Sequence, residues 1–133
     1  MIMLRMPGLL PALVLALLLS PVSAQETPAG GPTDWKTPAS AVELRNPYAG
    51  TENHGLAGKK LYQRYCSSCH GKDAGGAARI PALTSDKVRG ANEGRLFWYV
   101  RNGNSRAGMP GWSRLPDQQI WQLVTFLQVM REK

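Results

Sequence analysis

The chain has 133 residues, which is enough for one compact domain and excludes a large multidomain enzyme. Hydrophobic residues make up 43% of the chain and charged residues 19%, a balance that excludes a disordered polyelectrolyte. The formal charge is +7, and the two cysteines are too few for a disulfide-rich scaffold, which generally needs about four or more.

Residues 1–24 have the pattern of a secretory signal peptide. Arg5 supplies the positive charge at its start, residues 9–19 form an apolar stretch, and Ala24 ends a small-residue pattern of the kind that signal peptidase cleaves. This stretch is shorter than the roughly 20 apolar residues of a membrane span. We therefore expect cleavage after Ala24, a periplasmic location and no stable membrane insertion. An uncleaved anchor is the alternative.

Residues 25–53 predict an extended leader in front of the domain. They are rich in proline and glycine, and their apolar residues follow neither a helical nor a strand period. Trp35 or Tyr48 could pack this leader against the domain, which we expect to occupy residues 54–133. A domain of this size buries a modest core and often needs a metal or a covalent staple.

Three segments of the domain predict helices. In residues 56–67, one leucine and two tyrosines fall on one side at helical spacing. Residues Glu93–Asn102 carry an apolar patch and are followed by a glycine that suits a helix end. The third helix opens at Pro116 and Asp117. Its apolar residues repeat at helical spacing and are Ile120, Leu123, Val124 and Leu127.

No segment shows the alternation of a strand, so the sequence predicts an all-α fold. Three main helices and some short ones are joined by long loops that are rich in glycine, proline and asparagine. Loops of this length in so small a domain usually enclose a bound group.

The segment Cys66-Ser67-Ser68-Cys69-His70 matches the attachment pattern of a c-type haem. Two residues between the cysteines bring both sulfur atoms to one side of a helical turn, where they can add to the two vinyl groups of one porphyrin. His70 would then lie beneath the ring, where its imidazole can bind the iron. The signal peptide favours one covalent haem c, because this haem is attached outside the cytoplasm.

Three other interpretations of the two cysteines remain open. The pair could be a redox dithiol, although the following histidine and the lack of a preceding strand disfavour it. A zinc site would need two more ligands, and His54 is the only other histidine in the chain. A simple disulfide is the third alternative, in an oxidising compartment.

Met109 is the candidate for the sixth iron ligand. It lies in a loop between two helices, flanked by two glycines and a proline that permit close backbone approach and stiffen the turn. Met130 is expected to pack in the last helix, and His54 is an alternative ligand. We therefore expect His70 and Met109 to bind the metal.

Together these motifs resemble a class I cytochrome c over about residues 56–130. The motifs that carry the resemblance are Cys66-Ser67-Ser68-Cys69-His70-Gly71, Pro81-Ala82-Leu83, Gly108-Met109-Pro110 and Leu115-Pro116-Asp117. The resemblance implies a cytochrome c fold in which the first and last helices cross. Gly58 and Tyr62 match the crossing positions of the first helix, and Leu123 and Phe126 match those of the last.

The same resemblance implies surroundings for the iron ligand. The carbonyl of Pro81 would accept a hydrogen bond from Nδ1 of His70 and so fix its tautomer. Trp112 falls where the family often places a group near a haem propionate. Arg79 is a candidate for a second such group, with a solvated loop charge as the alternative.

Residues 46–50 and 96–103 are similar to small periplasmic cytochromes that accompany quinoprotein dehydrogenases. The expected function is therefore one-electron transfer, not catalysis, from a periplasmic dehydrogenase to an oxidase or another cytochrome. A free shuttle and a bound subunit of a dehydrogenase complex are both open. The alternative function is a haem-based gas sensor or enzyme with an open or displaceable sixth iron position.

The positive charge bears on the kind of partner. A basic face around the haem edge would attract an acidic redox protein and make the rate sensitive to salt. The candidates for that face are Lys59, Lys60, Lys72, Lys87 and Arg106. A generic basic surface is the alternative. Nucleic acid is not an expected partner, because the compartment is wrong and no basic cluster with interleaved aromatics occurs.

Overall fold

The computed structural model describes residues 36–89 and 91–131. The predicted signal peptide and Trp35 lie outside the described residues. Within them the chain is helical, with two isolated β-bridges and no strand, so the prediction of an all-α fold is confirmed. The helices are α1 (Ala39–Val42), α2 (Glu52–Tyr65), α3 (Ser67–His70), α4 (Asp86–Arg89), α5 (Glu93–Asn102) and α6 (Asp117–Arg131), with a 3-10 turn at Ser105–Ala107. None of the helices in this part of the chain is long and apolar enough to span a membrane.

Helix α5 has the predicted bounds because both of its ends are capped. The Asn92 side chain accepts a hydrogen bond from the backbone N–H of Arg95 at 3.1 Å, which satisfies one of the free donors of the first turn. At the other end Gly103 has a φ of 70°, and its N–H donates to the carbonyl of Tyr99 at 2.7 Å.

Helix α2 differs from the predicted 56–67 at both ends. It begins at Glu52, and Gly55 in its first turns lies close to α6, near Thr125 and Val129. Contact with another helix therefore supports a turn that has no apolar period of its own. It ends at Tyr65 because Cys66, with φ −118° and ψ −34°, leaves helical geometry, and α3 follows as a separate turn.

Helices α2 and α6 cross at Gly58, as the resemblance implied. A Cβ atom at Gly58 would overlap the backbone carbonyl of Gln122, so the two helices can approach this closely only with glycine there. The rings of Tyr62 and Phe126 pack beside the crossing with their centroids 5.4 Å apart. Leu123 is buried on α6. This crossing fixes where the end of α2, and hence Cys66, lies in the domain.

The segment 36–51 packs on the domain and departs from the predicted extended conformation at α1. Asn46 is buried, and its side-chain Nδ2 donates to Oγ1 of Thr125 at 3.0 Å and to Oε1 of Gln128 at 3.3 Å, both on α6. Tyr48 packs against the hydrophobic core, which confirms that predicted contact. Long-range contacts therefore order a segment whose composition alone favours an irregular chain.

The core lies between α2, α5 and α6. Most of its side chains are buried apolar residues at helical spacing on α5 and α6. Between these helices the rings of Phe97 and Trp121 stack with their centroids 4.2 Å apart. Ile120 and Val124 are completely buried. This small core is open on one side, where the loops between the helices enclose a cavity.

Candidate functional site

A cavity of about 800 Å³ lies between the loops and the helical core. The end of α2, α3, the loop before α4, α4, α5, the loop before α6 and α6 itself all contribute to its wall. Its lining includes Tyr62, Cys66, His70, Pro81, Leu83, Val88, Leu96, Tyr99, Val100, Met109, Trp112, Leu123 and Leu127. Three of the four predicted site residues, Cys66, His70 and Met109, therefore share one mostly apolar wall.

Cys66 and His70 reach the cavity through a tight helical turn. The backbone N–H of His70 donates to the carbonyl of Cys66 at 2.9 Å, and that of Cys69 donates to the same oxygen at 3.1 Å. Cys66 is half-buried at the wall, whereas Cys69 is exposed and is not part of the lining. The turn thus brings the second cysteine next to the cavity, with its side chain accessible from outside.

The imidazole of His70 is held by the chain that follows it. Its Nδ1 lies 3.2 Å from the carbonyl oxygen of Pro81, as the resemblance implied. Since a carbonyl can only accept a hydrogen bond, Nδ1 is the donor, and Nε2 is the ring nitrogen left for a metal. Gly76, with φ 75°, bonds its N–H to the carbonyl of His70 at 2.8 Å and turns the loop back toward the ring. An imidazole oriented in this way can serve as a metal ligand through its other nitrogen.

Met109 enters the cavity on a closed loop. Asn104 and Met109 pair through two reciprocal backbone hydrogen bonds of 2.9 and 3.0 Å. Gly108, with φ 80°, makes the turn before the methionine. The predicted loop position of Met109 between two helices is confirmed, and the thioether belongs to the cavity wall.

Neither His54, the alternative ligand, nor Met130 lines the cavity. His54 stacks on Tyr48 with ring centroids 4.1 Å apart and an interplanar angle of 8°. Met130 packs against the core from α6. Among the described residues, no group of three or more histidines, cysteines and carboxylates is placed to hold a metal ion, so a zinc site finds no further ligands there.

Burial shifts the acidity of two groups at the wall. Burial, with a smaller effect from neighbouring Cys69, raises the pKa of Cys66 to about 11. Burial, followed by Cys66 and Asp73, raises the pKa of Tyr62 to about 12, and its hydroxyl donates to the carbonyl of Gly71 at 2.6 Å. Both groups are therefore neutral at pH 7. A redox dithiol needs a cysteine pKa that is lowered, so that the reactive thiolate forms.

The charged residues of the wall are all basic. Lys36, Arg79, Lys87 and Arg106 line the cavity, and no aspartate or glutamate is among the described residues of the lining. Lys87 and Arg106 were candidates for a basic face, whereas Lys59, Lys60 and Lys72 do not line the cavity. Lys36 was missed, because it lies in the predicted leader and no sequence signal indicates that it returns to the site.

Trp112 lies at the wall between two side chains. Its ring is 5.1 Å from the Tyr65 ring between centroids, and the Arg114 guanidinium lies 4.9 Å from its centroid. The tilted aromatic contact and the cation both restrict the indole. Trp112 lines the cavity, and its place near a haem propionate stays a prediction. Arg114 was not singled out from the sequence.

Known proteins show the same domain. Residues 53–127 match the family described as cytochrome c oxidase, cbb3-type, subunit III. The chain is 34% identical over 79 residues to the cbb3-type cytochrome c oxidase subunit CcoP of Azospirillum brasilense, a match that covers 53% of the chain and 26% of that protein. The crystal structure of cytochrome CL from Methylophaga aminisulfidivorans is 27% identical, with a TM-score of 0.56 over 64% of the chain and 58% of that structure. The chain thus spans about a quarter of the curated relative.

Proposed function

The chain belongs to the cytochrome c family of cbb3-type oxidase subunit III, and on this premise we propose that it is a periplasmic one-electron carrier with a single covalent haem c. Cytochrome c domains transfer electrons through haem. The observation that carries the proposal is the oriented imidazole of His70, held by the Pro81 carbonyl at the wall that Cys66 and Met109 share.

The residues present fit such a group. The cavity of about 800 Å³ falls in the range of roughly 300–1,000 Å³ that is usual for ligand and cofactor sites, and its wall is mostly apolar. We propose that Cys66 and Cys69 hold the haem through thioether bonds. His70 would bind the iron through Nε2, and Met109 through its sulfur. The raised pKa of Cys66 is consistent with a thiol that serves attachment rather than dithiol exchange.

Haem iron bound in this way supplies one-electron chemistry between its ferrous and ferric states. The Pro81 carbonyl keeps the His70 ring in one tautomer and orientation, so the ligand does not rearrange between states. The thioether of Met109 and the apolar wall both favour the less charged ferrous state and raise the potential. With His70 and Met109 both as ligands, no coordination position would remain open, so the site would suit electron transfer rather than turnover of a substrate.

The basic wall supports an acidic redox partner. Two ionised haem propionates would offset two of the four positive charges at the wall, and Arg79 and Trp112, which both line the cavity, are candidates to bind them. The remaining positive charges would attract a negatively charged protein surface and speed its association at low salt. We propose a periplasmic dehydrogenase as donor and an oxidase or another cytochrome as acceptor. The chain would act as a free shuttle or as a subunit bound to the donor.

The test is an absorption spectrum of the protein matured with a haem-attachment system, with Met109→Ala beside it. Intact mass should show one covalent haem in both proteins. The wild type should be low-spin with a near-infrared sulfur-to-iron band and should not respond to carbon monoxide. Met109→Ala should lose the band, bind carbon monoxide in the ferrous state and have a lower potential.

Met130→Ala is the matched control, because Met130 packs against the core away from the cavity. It should keep the band and the potential of the wild type. A wild-type protein that is high-spin and binds carbon monoxide would contradict His/Met ligation and favour a gas sensor or enzyme instead. A protein without covalent haem would contradict the whole proposal.

A further inference from the structure

We infer that Asn104 is a positioning residue for the sixth ligand, and that it controls how firmly Met109 binds the iron. This inference rests on the proposed function. Asn104 does not act on the iron itself. It holds the loop that carries Met109 through its backbone and ties that loop to α5 through its side chain.

The backbone of Asn104 closes the loop on both sides. Its N–H donates to the carbonyl of Met109 at 2.9 Å, and its carbonyl accepts from the N–H of Met109 at 3.0 Å. The methionine therefore cannot move along the cavity wall without breaking both bonds or carrying Asn104 with it. The backbone position of Met109 is set by that of Asn104.

The side chain of Asn104 fixes that position against a helix. Its Nδ2 donates to the hydroxyl of Tyr99 at 2.6 Å, and its Oδ1 accepts from the N–H of Ala107 at 3.3 Å. Tyr99 belongs to α5, and both Tyr99 and Asn104 line the cavity. The side-chain amide of Asn104 thus links the start of the loop to Ala107 in its middle and to Tyr99 on α5.

Close packing at Gly103 holds the two ends of the loop together. A Cβ atom at Gly103 would overlap the backbone around Met109 and Gly111, so the chain passes here in direct backbone contact. Beyond Asn104, the described loop residues Ser105, Arg106 and Ala107 are exposed and make no side-chain hydrogen bond to the helices. The link from Asn104 to Tyr99 is therefore the side-chain hydrogen bond that ties this loop to α5.

The test compares three variants of the haem-loaded protein, Asn104→Ala, Tyr99→Phe and Asn92→Ala. The first two remove one end each of the same bond. Loss of a bond of this kind should increase the fraction of iron without sulfur ligation by about 5- to 10-fold. Both variants should therefore keep covalent haem by mass, show a weaker near-infrared band and bind carbon monoxide more readily than the wild type.

Asn92→Ala separates positioning from general stability. It removes an asparagine side-chain bond of 3.1 Å at the start of α5, outside the cavity lining, and should lower the melting temperature without changing the band. A wild-type band in Asn104→Ala and Tyr99→Phe would overturn the inference and leave His/Met ligation intact. So would an equal loss of the band in Asn92→Ala. If the wild type itself lacks the band, the proposed function fails first and the inference fails with it.

Discussion

Replacing Asn46 by alanine should destabilise the protein more than any other change of a polar side chain in the segment 36–51. Asn46 is 7% exposed and takes part in three hydrogen bonds. Its Nδ2 donates to Thr125 and Gln128, and its Oδ1 accepts from the backbone N–H of Tyr48 at 3.0 Å. Thr125 keeps its bond to the carbonyl of Trp121 at 3.0 Å, so the loss is partial. The bond to Gln128 is long at 3.3 Å and is given no weight, so at about 1 kcal/mol for each of the other two bonds we expect a decrease of roughly 2 kcal/mol in the free energy of unfolding.

The measurement is thermal and guanidinium unfolding of the haem-loaded protein. For a domain of this size, roughly 2 kcal/mol corresponds to a decrease of about 8–16 °C in melting temperature. Asn53→Ala is the control, because Asn53 is exposed on α2, and it should change stability by less than about 0.5 kcal/mol. A double-mutant cycle with Thr125→Val should show coupling between the two sites. Equal melting temperatures for Asn46→Ala and Asn53→Ala, or no coupling, would refute the view that this contact orders the segment.

Two further changes test the helix crossing and the buried phenol. Gly58→Ala should lower the free energy of unfolding by about 1–3 kcal/mol or more, because its Cβ would overlap a carbonyl of α6. Gly55→Ala, whose Cβ would lie 3.9 Å from Thr125, should raise it by about 0.4–1 kcal/mol. Chemical denaturation measures both changes, and equal effects would contradict the crossing. Tyr62→Phe should cost about 1 kcal/mol at pH 7 through the lost bond to Gly71. Folding raises the pKa of Tyr62 from 10.0 to about 12. The neutral phenol therefore contributes its full stabilisation to the wild type below pH 10, and this stabilisation is lost as the pH rises toward 12. The stability of Tyr62→Phe should therefore fall less over that range, and parallel pH profiles would contradict the assignment.

The sequence predicted those features that depend on short-range pattern. The helical period and the cap residues fixed α5, and the spacing of Cys66 and His70 placed both at one cavity. The start of α2 was predicted too late, because its first turn is supported by α6 and not by its own apolar residues. Local signals carry no information about a partner that lies far along the chain.

The same limit explains why Lys36 and Asn104 were not singled out. Lys36 lines the cavity, and the segment that carries it is bonded to α6 through Asn46, a link between residues far apart in sequence. Asn104 looks like an ordinary loop asparagine until its amide is seen to bond Tyr99. The matched family region begins only at residue 53, yet the wall of the site includes a cation that precedes it. The charge of the cavity wall therefore comes in part from a segment that the family pattern does not include.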